Sequence, residues 1–226
     1  MVSDTATLAV LDRLRPAGLW LLWLGFILYA FLLAPPDQPD TLGLIQRLVQ
    51  GDVAGINPLI VALFNLMGVW PAIYASVLLI DGRGQRWPAW PFVLGSFAVG
   101  AFALLPYLAL RQPNPQFVGA KGGWLTWWDS RLNGSLLALV TLGLLTYGFS
   151  QGNWADFVEA WRTSRFIHVM SLDFCCLTLL FPLILRDDLR RRSLHQPWLL
   201  GGISLLPLVG PVLYLALRPP LLRPAD

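Results

Sequence analysis

Charged residues are scarce in this chain. They make up 13% of its 226 residues, against roughly 25% in soluble globular domains. With 56% of the residues hydrophobic, so little charge cannot clothe a water-soluble surface, and the surplus apolar surface has to face lipid. Cysteine and histidine are equally sparse, at two each. Cys175 and Cys176 are neighbours, an arrangement that strains a mutual disulfide. No C-x-x-C or H-E-x-x-H spacing occurs, so no metal signature is present. The serines have no G-x-S-x-G elbow, and Asp81-Gly82-Arg83-Gly84 reads as a turn rather than a phosphate loop. No basic stripe interleaved with aromatics exists, which excludes nucleic acid as a partner. What remains is a non-enzymatic protein of the lipid bilayer.

Long apolar runs are plentiful. A membrane-crossing helix needs about 20 apolar residues, and six stretches qualify: 17–34, 58–80, 88–110, 132–149, 166–185 and 198–217. Backbone groups in lipid must bond within their own segment, so each is expected to be helical. The first run follows Arg13 and Arg15 but ends in Ala34-Pro35-Pro36 without a small-x-small cleavage site, so it reads as a retained span. The fold expectation is one all-α membrane domain over 1–226 with about six transmembrane helices. Tryptophans such as Trp20, Trp23, Trp87, Trp90 and Trp198 fall near expected span ends, where indoles favour the headgroup level.

Two shorter segments are amphipathic. Leu42, Leu44, Ile45, Leu48 and Val49 share a side, as do Trp154, Phe157, Val158 and Trp161. Each is too short to cross and is expected to lie at the interface or dock on the bundle. The two halves, 1–111 and 112–226, also resemble one another. Each reads span, amphipathic segment, span, basic loop, span, and they end in the same five residues, Tyr107-Leu108-Ala109-Leu110-Arg111 and Tyr214-Leu215-Ala216-Leu217-Arg218. Three spans per half predict an inverted repeat. Basic residues would then divide evenly between the two faces, so the positive-inside rule assigns no orientation. The cluster Arg186-Asp187-Asp188-Leu189-Arg190-Arg191-Arg192 reads as a solvated turn that could touch anionic headgroups.

Polar residues inside the runs are the functional candidates, because charge at bilayer depth is expensive. Asp173 is either a proton- or cation-handling carboxylate or a structural one bonded to a neighbouring helix. Asn65 sits in the matching helix of the other half and is its natural partner, or else ordinary interhelical glue. His168 and Ser171 share a face. His168 is positioned either to ligate a pigment magnesium or haem iron or to hydrogen-bond at the interface. It lies about 140° around the helix from Asp173, so the two form no intrahelical dyad.

The segments Phe64-Asn65, Gly68-Val69-Trp70-Pro71, Trp90-Pro91-Phe92, Leu104-Leu105-Pro106-Tyr107, Phe166 to Phe174 and Gly210-Pro211-Val212-Leu213-Tyr214 together resemble a family of multi-span proteins of cyanobacteria with chloroplast counterparts in plants. The resemblance runs from about Pro58 onward. It implies a thylakoid location and an accessory or assembly subunit of a photosynthetic complex, packed against other membrane subunits, with chlorophyll or carotenoid as candidate cofactors. The alternative expectation is a small inverted-repeat transporter of a proton, ion or small solute, with its site at Asn65 and Asp173.

Overall fold

A computed structural model of the chain describes residues 2–117, 122–194 and 196–221, with side chains from Leu14 onward except that of Pro197. Among the described residues the regular structure is all helical. In chain order the elements are α1 (Val2–Leu28), continued by a π-helical turn over Tyr29–Leu33, α2 (Thr41–Gln50), α3 (Pro58–Asp81), α4 (Trp90–Val99), α5 (Ala101–Leu110) and α6 (Gly123–Trp128). They continue with α7 (Arg131–Gln151), α8 (Trp154–Thr163), α9 (Arg165–Leu180), α10 (Pro182–Arg191), α11 (Pro197–Leu205) and α12 (Val209–Leu217).

Four segments are long and apolar enough to cross a membrane: Leu14–Leu33, α3, α7 and the continuous α9–α10 rod over Arg165–Arg191. Local chemistry sets their starts. Asn57 Oδ1 accepts from the Leu59 N–H, with Pro58 in the first turn, and Ser130 Oγ accepts from the Asn133 N–H, each satisfying a donor that a helix start leaves open. The α9–α10 rod is interrupted at Phe181, because Pro182 brings no N–H to the ladder. Tyr74 Oη donates to the Leu177 carbonyl beside that interruption, at 2.7 Å.

The stretches expected as third and sixth spans are not single long helices. Each is divided into two short helices that fold back on themselves. In the first hairpin, Gly100 (φ +53°, ψ −128°) ends α4 and begins α5, a backbone conformation that only glycine adopts without strain. A Cβ placed at Gly95 would lie 3.2 Å from that of Ala103. The Phe92 and Tyr107 rings sit 5.4 Å apart, so the two helices run antiparallel. Gln112, just past α5, exchanges two hydrogen bonds with Gln85, just before α4. The hairpin therefore returns to the end of α3 from which it started.

The second hairpin does the same. Its tip is a strained turn in which the Val209 N–H donates to the Pro207 carbonyl across Leu208, at φ +63°. Arg192, just before α11, donates to the Pro219 carbonyl just after α12. Ten helical residues extend about 15 Å, half the depth of a hydrocarbon core of about 30 Å.

The α3 helix and the α9–α10 rod form the centre, locked by the rings of Trp70, Tyr74, Phe174 and Phe181, whose centroids lie 5.8–6.1 Å apart. The first helix packs along α5, and α7 packs along both α3 and α12. The α7–α12 contact is backbone to backbone, since a Cβ at Gly134 would meet the Leu215 carbonyl carbon at 2.3 Å. At the opposite end, Leu48 of α2 joins Ile60, Val61, Ile167 and Met170 in a satellite core, with Phe157 and Trp161 of α8 against it.

Candidate functional site

Two polar assemblies occupy opposite ends of the bundle. The first is a buried cluster of four aspartates and four arginines: Asp81, Asp129, Asp187 and Asp188 with Arg111, Arg191, Arg192 and Arg218. Arg111 grips Asp81 with two parallel bonds, of 2.9 and 2.7 Å, and reaches Asp187 at 2.5 Å. Arg191 bonds to Asp81 and, at 3.3 Å, to Asp188. Arg192 bridges Asp188 and Asp129, and Arg218 binds Asp188 at 3.0 Å.

The expected solvated turn at 186–192 is thus corrected. Asp187, Asp188, Arg191 and Arg192 are buried, while Arg186 and Arg190 stay exposed. The run looked solvated because charges are almost never fully buried unless paired. The partners, Asp81, Asp129, Arg111 and Arg218, arrive from distant segments. Burial works against the charge on Arg111, but the hydrogen bonds and charges of Asp81 and then Asp187 outweigh it, holding the guanidinium above its usual range.

The cluster explains the repeated pentapeptide. Tyr107 Oη donates to Asp81 at 3.1 Å, and Tyr214 Oη donates to Asp188 at 2.7 Å. Both tyrosines lie 26 residues after their aspartate, and both arginines lie 30 after it. Inverted halves would carry Asp81 and Asp188 to opposite ends. Arg191 binds both, so α3 and the α9–α10 rod end together at the cluster and run in the same direction.

The second assembly is a cavity of about 730 Å³ between the π-helical turn, α3, the first hairpin and α9. Asp37, Thr41 and Arg165 lie along its lining, together with Asp173 and the turn from Ser96 to Gly100, of which Phe97, Ala98 and Val99 are exposed. Asp173 is 5% exposed and sits about 12 Å into the α9–α10 rod. Its Oδ1 accepts from the Ala101 N–H at 2.8 Å, so the carboxylate caps α5 at the hairpin tip. A Cβ at Gly100 would lie 1.8 Å from its Oδ2, which explains why the tip is glycine. Apart from Asn65, the rest of the wall is apolar and aromatic.

Asn65 lines the same cavity, but its amide donates to the Val61 carbonyl of its own helix at 2.8 Å. Asn65 and Asp173 therefore share a chamber without bonding to one another. Ser171 Oγ donates to the Ile167 carbonyl at 2.7 Å and is used within α9.

His168 is 6% exposed. Its Nδ1 faces the Trp161 carbonyl at 2.9 Å and its Nε2 the Tyr29 hydroxyl at 2.8 Å. A carbonyl can only accept, so Nδ1 carries the proton and Nε2 accepts from Tyr29. Its ring stacks on Trp161 at 4.3 Å. Both ring nitrogens are thus engaged by groups of the protein itself. His195 lies outside the described residues.

Trp23 was expected at an interface. Instead its indole N–H donates to the Phe102 carbonyl at 2.8 Å. Pro106 has no N–H to offer that carbonyl four residues back, and Trp23 supplies the missing donor. A proline on an apolar helix and a tryptophan within another apolar run were the signals available in the sequence.

Comparisons of the chain with protein-family models, with curated proteins and with solved structures gave no match.

Proposed function

We propose that this is a non-enzymatic integral membrane protein that binds, and carries, a small solute in the chamber lined by Asp173. The carrying observation is the placement of that carboxylate at the tip of a hairpin, at the end of a chamber large enough for a drug-sized molecule. Intramembrane ionisable residues facing a cavity mark solute or ion pathways, and backbone irregular at depth, as at Gly100, is tolerated where it lines one.

The bundle is read as four spans with two re-entrant hairpins, built from a duplicated unit of two spans and one hairpin. An even number of crossings makes the repeat parallel, about an axis along the membrane normal. The two units diverge at the chamber: the register pairing Asp81 with Asp188 sets Leu66 opposite Asp173, so one unit holds the acid. Helices α2 and α8 lie along the interface at the chamber mouth. Returning hairpins gather Arg15, Arg83, Arg86, Arg131, Arg186, Arg190 and the buried cluster at one end, against Arg47, Arg162 and Arg165 at the other. The positive-inside rule then sets the cluster end on the cytoplasmic side and opens the chamber to the opposite face.

One-sided chemistry tests this. With Cys175 and Cys176 replaced by alanine, Asn65→Cys in sealed vesicles reacts with a membrane-impermeant thiol reagent only from the Arg165 face. Protection from both faces refutes the open chamber.

The photosynthetic accessory-subunit reading rests on the family resemblance, and the outward faces of Leu21, Leu139 and Leu179 suit burial by other subunits or lipid. Comigration with a photosystem in native gels of thylakoid extracts supports it. A protein that runs alone and colourless removes it.

A further inference from the structure

We infer that the solute of the Asp173 chamber is a lipophilic organic monocation, a bulky apolar body bearing one positive charge; this rests on the chamber reading above. The lining carries two carboxylates, Asp37 and Asp173, against one guanidinium, Arg165. The Arg165 Nε–H is bound to the Pro35 carbonyl at 3.0 Å, and among the described residues no other lysine or arginine lines the chamber. Among the described residues, Asp173 faces the space with a single protein hydrogen bond, from the Ala101 N–H, on Oδ1. The buried cations Arg111, Arg191, Arg192 and Arg218 are committed to the aspartate cluster at the far end.

The walls match that charge. Five phenylalanines, Phe31, Phe64, Phe97, Phe102 and Phe166, line the chamber. Aromatic faces attract cations that have shed water, and recognition of quaternary ammonium groups by aromatic cages works this way. A carboxylate in the lining supplies the opposite charge in a desolvated place, where pairing is strong. A bare proton or a hydrated metal ion would use neither the volume nor the rings, and a hard cation wants a shell of oxygens that these walls do not offer. An anion would meet Asp173 directly.

The test uses purified full-length protein in lipid nanodiscs, tetraphenylphosphonium as probe, and uncharged triphenylphosphine oxide as comparison, with empty nanodiscs subtracted. Two variants separate the contributions. Asp173→Asn removes the charge but keeps an oxygen to accept from Ala101. Gly68→Phe fills the chamber from α3, where an added Cβ meets nothing within 4 Å, and leaves the hairpin untouched. The expected result is saturable phosphonium binding, at least tenfold tighter than that of the oxide and weakened at least tenfold by either variant. Phosphonium binding unaffected by Asp173→Asn but blocked by Gly68→Phe overturns the cation inference and leaves the chamber standing. Absence of saturable phosphonium binding also overturns the inference; the Asn65→Cys labelling then decides whether the chamber reading falls with it.

Discussion

Replacing Asp188 by asparagine removes the acceptor on which the charge cluster converges. In the native protein its carboxylate takes hydrogen bonds from Arg191, Arg192, Arg218 and Tyr214, and four aspartates balance four arginines. The variant leaves three aspartates for four guanidiniums, all fully desolvated. At an effective dielectric near 20, each unit pair at about 4 Å is worth about 4 kcal/mol. Desolvation offsets most of that in the intact cluster, but not when one partner is deleted, where the loss is about 3–5 kcal/mol. For a chain of this size each kcal/mol moves the melting midpoint by about 2–4 °C, so a drop of roughly 10 °C is expected. Intrinsic tryptophan fluorescence of detergent-purified protein reads it directly. Tyr214→Phe deletes one hydrogen bond while the carboxylate keeps its arginines, at a cost of about 0.5–1.5 kcal/mol. Tyr107→Phe should match it, because the two tyrosines serve equivalent aspartates. A midpoint for Asp188→Asn within about 2 °C of wild type would refute the cluster as the clasp that closes both hairpins.

Other substitutions probe separate parts. Gly100→Ala forces a methyl into the Asp173 carboxylate at a positive φ; backbone strain alone costs about 1–3 kcal/mol, and a melting midpoint equal to wild type contradicts the packed tip. Trp23→Phe leaves the Phe102 carbonyl without its donor and lowers stability by about 1–3 kcal/mol, whereas adding Pro106→Ala restores an intrahelical N–H and should recover part of the loss; no recovery argues against the pairing. His168→Phe keeps the ring but strands the Trp161 carbonyl and the Tyr29 hydroxyl, so hydrogen exchange should quicken where α8 meets α9; unchanged exchange, or loss of a bound pigment, contradicts the geometry. Gly134→Leu drives a side chain into the Leu215 backbone and should abolish well-behaved protein on size exclusion, while Gly143→Leu, in open space on the same helix, should not.

The sequence by itself determined that the chain is helical, which runs are apolar enough for lipid, and which polar residues, Asn65 and Asp173, interrupt them. These follow from composition and local run length, and both residues do line one chamber. It also exposed the repeated Tyr-Leu-Ala-Leu-Arg. Only the tertiary structure decided what that repeat does. A run of 21 apolar residues such as α4–α5 is long enough to cross, and nothing local distinguishes a span from a hairpin except one glycine at its middle. The place where the end docks decides between them: Arg111 binds Asp81, so the chain has returned. That single long-range pair turns an expected straight span into a hairpin that folds back to the end of α3. It also turns an apparently solvated turn at 186–192 into a buried clasp. Charge pairing acts between segments distant in sequence, and run length cannot register it.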